Sequence, residues 1–282
     1  MATATRRPKS ADVASAIREL VQSFGERKLF VWASALSFQI IKAMVPFLLF
    51  ALGLLGFLDL QGAWTDIAKN IKPHMSSAAF NVVDSTAKQV LTSKQVFWVT
   101  AGFALAVWWM SAGIRTIMGG LSLIFDMEDT RSWKERMGTS ILLAIAVGFL
   151  VIGATAIVWL GPLLYGDVGQ PLGALFFLVR WIIAASLLGL AVGLTVRYGP
   201  DSDQPAEWVS IGTAIVVLSW SLTSILFGLY IRYVASYGSI FGNLATVVVL
   251  FIYVYLSSIV FFAGVQVDAI IRRRVEGNPQ GR

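Results

Sequence analysis

The chain has 282 residues, of which 57% are hydrophobic and only 13% charged, with a mean hydropathy of +0.74. Soluble domains carry about a quarter charged residues, so the composition excludes a soluble globular protein and points to an integral membrane protein. The net charge is +6 and there is no cysteine, which removes disulfides and thiolate chemistry.

Residues 1–29 are polar and charged, with no short apolar core or small-residue cleavage site, so they do not read as a signal peptide. They carry Val13, Ile17, Leu20, Val21 and Phe24 at helical spacing. This predicts an amphipathic helix, either lying on the inner leaflet or capping the end of a bundle.

Crossing the hydrocarbon layer takes roughly 20 helical residues. Six apolar runs qualify: Phe30 to Phe57, Phe97 to Ile117, Thr139 to Leu163, Leu172 to Val196, Trp208 to Tyr230 and Leu244 to Val267. The alternating pattern of a transmembrane barrel is missing. The expected fold is therefore an all-α six-transmembrane-helix bundle. It divides into a cytoplasmic amphipathic segment (1–29), the membrane domain (30–267) and a basic cytoplasmic tail (268–282).

The first run contains Gln39 and Lys42, followed by Pro46, which has no N–H to give the carbonyl of Lys42 and is expected to kink the helix there. Residues 58–96 form a long connection that predicts two amphipathic helices in the first outer loop. Trp64, Ile67, Ala68 and Ile71 would line one, and Phe80, Val83, Ala87, Val90 and Leu91 the other. Between them stands "KPHMSS", with the chain's one histidine, His74, and with Ser76 or Ser77 as a helix cap. The second run holds Arg115 near its inner end. The loop after it sets Asp126, Glu128 and Asp129 just before Arg131, Lys134 and Arg136, an arrangement that predicts local ion pairing at an elbow between two spans. The third run offers Ala144 and Gly148, and the fourth Ala185, Gly189 and Gly193, as small residues for close helix packing.

Most of the 22 Lys and Arg fall in the N-terminal segment, the loops around Arg131 and Arg197, and the tail. Basic residues stay in the cytoplasm, so both termini are expected inside. The same rule, with attraction to anionic lipid, accounts for the positive charge without nucleic acid.

Lys42, Arg115 and Arg180 lie within apolar runs that contain no acidic residue. An intramembrane charge costs at least about 2.5 to 3.5 kcal/mol and needs a partner. Arg115 is expected to snorkel to the inner interface. Lys42 and Arg180, with Gln39, make a candidate site for an anion that the protein does not itself supply, such as a lipid headgroup phosphate, and Arg115 is the fourth candidate ligand. Metal-ligand clusters, glycine-rich phosphate loops and nucleophile elbows are missing, so no cofactor, metal site or enzymatic activity is expected.

The stretch "GLSLIFDMEDTRSWKER" resembles a loop of the YihY/BrkB family of bacterial inner-membrane proteins. Three further stretches agree in order: the first span with Pro46; the Tyr198 and Pro200 loop with the span carrying Gly212, Trp220, Phe227 and Tyr230; and the last span with Gly242, Tyr255 and Gly264. The chain departs from the family pattern at Ser122, at Gln266 and Asp268, which replace Glu and Asn, and at Gln39 and Lys42. The resemblance implies a multi-pass inner-membrane protein of envelope maintenance. Members have been labelled virulence factors and, by misassignment, ribonuclease BN. Membrane lipids, and an envelope protein, are the partners this implies. Two roles remain open: binding or moving an anionic amphiphile, or a structural, partner-docking one. Transport of a soluble anion is a lesser third.

Overall fold

The computed structural model describes residues 10–59, 61–72, 77–92, 95–165, 172–201, 211–233 and 242–276. Among these the chain is helical and contains no strand. The helices are α1 (Ser10–Glu26), α2 (Leu29–Phe57), α3 (Gln61–Ile71), α4 (Ser77–Thr92), α5 (Gln95–Ile124), α6 (Trp133–Tyr165), α7 (Leu172–Tyr198), α8 (Ile211–Tyr233) and α9 (Gly242–Glu276). Six of them, α2 and α5 to α9, are long and apolar enough to cross a membrane. His74, Ser76, Trp208 and the last six residues lie outside the described residues.

Helix ends differ from the apolar runs for local reasons. The run in α5 breaks at Gly119 and Gly120, yet the helix continues to Ile124 because rings fill those gaps. A Cβ on Gly119 would strike the Trp32 ring, and one on Gly120 the Phe262 ring. α6 starts at Trp133, ahead of its apolar run, because Ser132 and Glu135 form a capping box. Glu135 accepts from Ser132 N at 2.8 Å, and Ser132 Oγ accepts from Glu135 N at 3.3 Å. α9 passes Val267 and runs to Glu276 because Asp268 is neutralised by Arg272 one turn on. α2 runs unbroken through a buried Pro46.

The six long helices contact one another in the order α2, α5, α6, α7, α8, α9 and back to α2, which closes a ring. One end of the ring is plugged by a dense core of Phe24, Leu29, Leu36, Leu121, Ile124, Phe262 and Val265. Phe24 comes from α1, whose Val21 is exposed. At the other end α3 and α4 sit on α2, with Trp64, Ala68, Ala87 and Leu91 packed against Leu52 and Leu55. Trp64 Nε1 donates to Asp84 at 3.0 Å.

Within lipid, apolar side chains gain little by hiding, so helices associate where small residues let backbones approach. The tightest approaches are at Gly53 and Gly102 between α2 and α5, and at Gly212 and Gly264 between α8 and α9. A Cβ on Gly102 would lie 2.8 Å from Phe50 N, and one on Gly212 would lie 2.8 Å from Gly264 O. The stripe expected on α7 is split. Ala185 is exposed, Gly189 meets Thr213 and Val217 of α8, and Gly193 is buried. Spacing alone did not reveal which face of α7 meets protein, because lipid accepts the same residues.

Gly102→Ala must push a backbone aside, and should lower stability by about 1 to 3 kcal/mol. Gly138→Ala, on α6 with nothing near its Cβ position, should be neutral or stabilising by up to about 1 kcal/mol. Tryptophan-fluorescence melting of both variants in detergent tests this pair of opposite signs.

Candidate functional site

At the plugged end the charged residues of distant segments meet. The last turn of α5 leaves carbonyls without helical donors, and these carry the negative end of the helix dipole. Arg27 NH1 donates to the carbonyls of Leu123 and Ile124, the latter at 2.8 Å, and Arg273 NH2 reaches the Ile124 carbonyl at 2.8 Å. Asp126, in the left-handed conformation at φ 54°, turns its carboxylate onto the same two arginines, at 2.8 Å from each. The hydrogen bond from Arg27 is the main reason its carboxyl is held below the usual range. Asp126 therefore pairs across the fold, with residues from the α1–α2 junction and α9. The local pairing expected from the sequence is made by its neighbour Asp129, with Arg131 and Arg136. Glu128 is exposed.

Arg131 is the second knot. Its guanidinium binds Asp129 through Nε at 2.9 Å and NH2 at 3.1 Å, the Gly199 carbonyl at 2.6 Å, and Asp201 at 3.4 Å. Asp201 also accepts from Thr130 N at 2.7 Å and Thr130 Oγ1 at 2.6 Å. The Arg131, Asp129 and Asp201 side chains are 14%, 11% and 18% exposed, so these pairs are shielded where the Asp126 pairs are not. Asp129 is held low chiefly by its bond from Arg131, and Asp201 chiefly by its bond from the Thr130 hydroxyl. Arg27, Arg273 and Asp201 were not singled out in the sequence. Asp201 had a signal, since it follows the Tyr198 and Pro200 motif directly.

Asp268 is 5% exposed. It accepts from Arg272 Nε at 3.0 Å and from Gly212 N at 3.3 Å, supplying an acceptor to the otherwise unpaired start of α8. Gln266 is wholly buried, and neither polar atom of its amide has a partner among the described residues.

Beyond the plug, the ring encloses a cleft of about 480 Å³ to which all six long helices contribute, within the ~300 to 1,000 Å³ of ligand pockets. Its walls include Met44, Phe47, Trp109, Ile117, Val192 and Phe261. Three of its hydroxyls are already engaged: Thr195 donates to the Ala191 carbonyl, Ser258 to the Val254 carbonyl, and Ser257 accepts from Trp220 Nε1. The exception is Gln39, whose Oε1 is buried without a partner among the described residues. Lys42, nearly one turn along α2, has its Nζ 4.0 Å from the ring of Trp109, a cleft residue, and 4.9 Å from that of Phe38. Such cation–π contacts contribute about 2 kcal/mol when desolvated.

The other two cations lie elsewhere. Arg180 stands over Phe177 of its own helix, with Cζ 4.8 Å from the ring, and is not part of the cleft wall. Arg115 is held between α5 and α6. Its helix runs on nine residues past it, and NH1 donates to Ser111 Oγ at 3.0 Å, to Ser140 Oγ at 3.1 Å and to Met137 Sδ at 3.0 Å. Of the four candidate residues only Gln39 lines the cleft, and Lys42 stands beside it through its contact with the cleft residue Trp109.

Arg131→Gln should destabilise the protein by on the order of 2 kcal/mol at pH 7, below the ~3 to 5 of a fully dry pair because the knot is partly hydrated. Lowered aspartate values stabilise the folded state above the unfolded value of about 3.9 and cease to do so as pH falls through the lowered ones. The melting gap between wild type and variant should therefore be full above about pH 4 and narrow at lower pH. A gap independent of pH would mean that the carboxylates do not engage Arg131.

The Virulence factor BrkB family matches residues 20–282. The chain is 25% identical over 248 residues to the ribonuclease-like protein YfkH of Bacillus subtilis, covering 86% of this chain and 90% of that one. It is 27% identical over 261 residues to a UPF0761 membrane protein of Delftia acidovorans and 26% identical over 267 to one of Verminephrobacter eiseniae. These matches cover 89% and 92% of this chain but only 61% and 62% of the relatives' own lengths. No solved structure matches. With the match spanning nearly its whole length, this chain belongs to the Virulence factor BrkB family of membrane proteins.

Proposed function

We propose that this protein binds an anionic lipid or amphiphile within its helix ring, and translocates it, as part of envelope maintenance in the bacterial inner membrane. The observation that carries the reading is the cleft itself. A cavity with apolar walls accepts hydrocarbon, and a buried amide oxygen without a partner among the described residues, on the helix that also carries the Lys42 cation, is costly unless a donor on a ligand meets it. Gln39 accepts from a headgroup donor such as a hydroxyl, Lys42 meets the headgroup's negative charge, and the apolar walls hold the chain. In this reading the site binds and moves its ligand without changing it chemically.

The charged end of the ring faces the cytoplasm in this reading, with residues 1–29 and 268–282 inside. Arg27, Arg131, Arg197 and Arg273 belong to that end, which supports the orientation by the positive-inside rule. α1 is an amphipathic helix at the inner leaflet. The helices of residues 58–96 form an amphipathic outer cap.

A second reading, a structural or partner-docking protein, is favoured by one observation. Lys42 and Arg180 each stand over an aromatic ring of the protein, which offsets part of the cost of their charge without a ligand.

Native mass spectrometry of the purified protein separates the two. Wild type should retain anionic lipid that a Gln39→Leu, Lys42→Met double variant loses, at a melting temperature within a few degrees of wild type. Equal lipid retention by both proteins would reject the cleft as a headgroup site and favour the structural reading.

A further inference from the structure

We infer that Arg115 is the base of a second, phosphate-binding site on the seam between α5 and α6, separate from the cleft. Its ligand is a phosphate group, borne by an anionic phospholipid or present as the free ion.

The argument starts from how Arg115 is held. All three of its contacts use NH1. The two serines that receive it are wholly buried, and each spends its own proton on a main-chain carbonyl, Ser111 on Trp108 and Ser140 on Met137, both at 2.8 Å. Their lone pairs are thus turned toward the guanidinium, which fixes one nitrogen of the fork in place. A guanidinium has five N–H donors. The Nε–H and NH2 edge, the one that forks onto phosphate oxygens, has no acceptor among the described residues.

Charge makes the same demand. Arg115 lies nine residues before the end of α5, about 13 Å at helical rise, and its neighbours are hydroxyls and a thioether, with no carboxylate in ion-pair range among the described residues. Arg136 lies four residues before Ser140 on α6, the helix that holds Arg115. Among the described residues Arg136 pairs with one carboxylate, Asp129 at 3.3 Å. The seam thus carries Arg115 from α5 and, one turn before Ser140, Arg136 from α6, where the hydrocarbon penalises unbalanced charge. A phosphate suits them better than a carboxylate, since its oxygens point in more than one plane and can meet both forks.

The site is distinct from the cleft. Ile114 and Ile117 of α5 face the cleft while Arg115 faces α6, and the α6 residues of the cleft begin at Val147, about two turns beyond Ser140.

The test is native mass spectrometry of delipidated protein titrated with phosphatidylglycerol, with diacylglycerol of the same chains, and with inorganic phosphate. Wild type should bind phosphatidylglycerol in preference to diacylglycerol. Arg115→Gln should weaken one phosphatidylglycerol site about tenfold, the scale of a single charge-assisted hydrogen bond. It should do so equally in a Lys42→Met background, so the result does not depend on the cleft. Ser140→Ala, which keeps the charge but loosens NH1, should weaken it less, and Arg136→Gln should weaken it comparably if Arg115→Gln fails to fold. Displacement of the lipid by millimolar inorganic phosphate would identify the free ion as a ligand, and lack of displacement would assign the site to lipid. Unchanged binding in the Arg115 and Arg136 variants, or diacylglycerol bound as tightly as phosphatidylglycerol, would overturn the inference.

Discussion

Helices immersed in hydrocarbon gain nothing from hiding leucine against leucine when lipid tails are equally apolar. What holds this ring must therefore come from backbone approach and from polar groups that have nowhere else to go. Both are concentrated in a few places. Glycines at 53, 102, 212 and 264 bring α2 onto α5 and α8 onto α9, and the Arg27, Asp126 and Arg131 knots close the charged end. Remove those, and the six long helices have many contacts but little reason to prefer one arrangement.

The distribution of packing follows. The charged end is dense, with Leu29, Leu121, Ile124 and Phe262 shielded from solvent. Further in, the helices separate enough to leave the cleft, whose walls include residues from every member of the ring. The knots hold the dense end together without drawing the cleft closed. A rigid base beneath a hollow interior is an arrangement that can hold a guest without costing the fold its order.

Six spans were legible because a hydrophobic run long enough to cross a bilayer has few alternative explanations. The helix ends were less so, since they are set by the capping pair Ser132 and Glu135, by aromatic rings resting on Gly119 and Gly120, and by Arg272 neutralising Asp268. None of these is an apolar signal. The intramembrane cations could be found by composition, but their partners could not. Lys42 meets Trp109, and Arg115 meets Ser140, across helix boundaries that only packing determines. Asp126 misled for the opposite reason, because basic residues close in sequence offered a simpler partner than Arg27 and Arg273.

The plug at the charged end has a topological consequence. Phe262 sits wholly buried against Gly120, and behind it Leu121 and Ile124 close the space between α5 and α9. The cleft is thus a cul-de-sac on that side, a bay with one shore sealed. A molecule lodged in it leaves by another face unless the phenyl ring withdraws from the glycine and α5 parts from α9. Directionality, in such a shape, is a property of the side chain at the blind end.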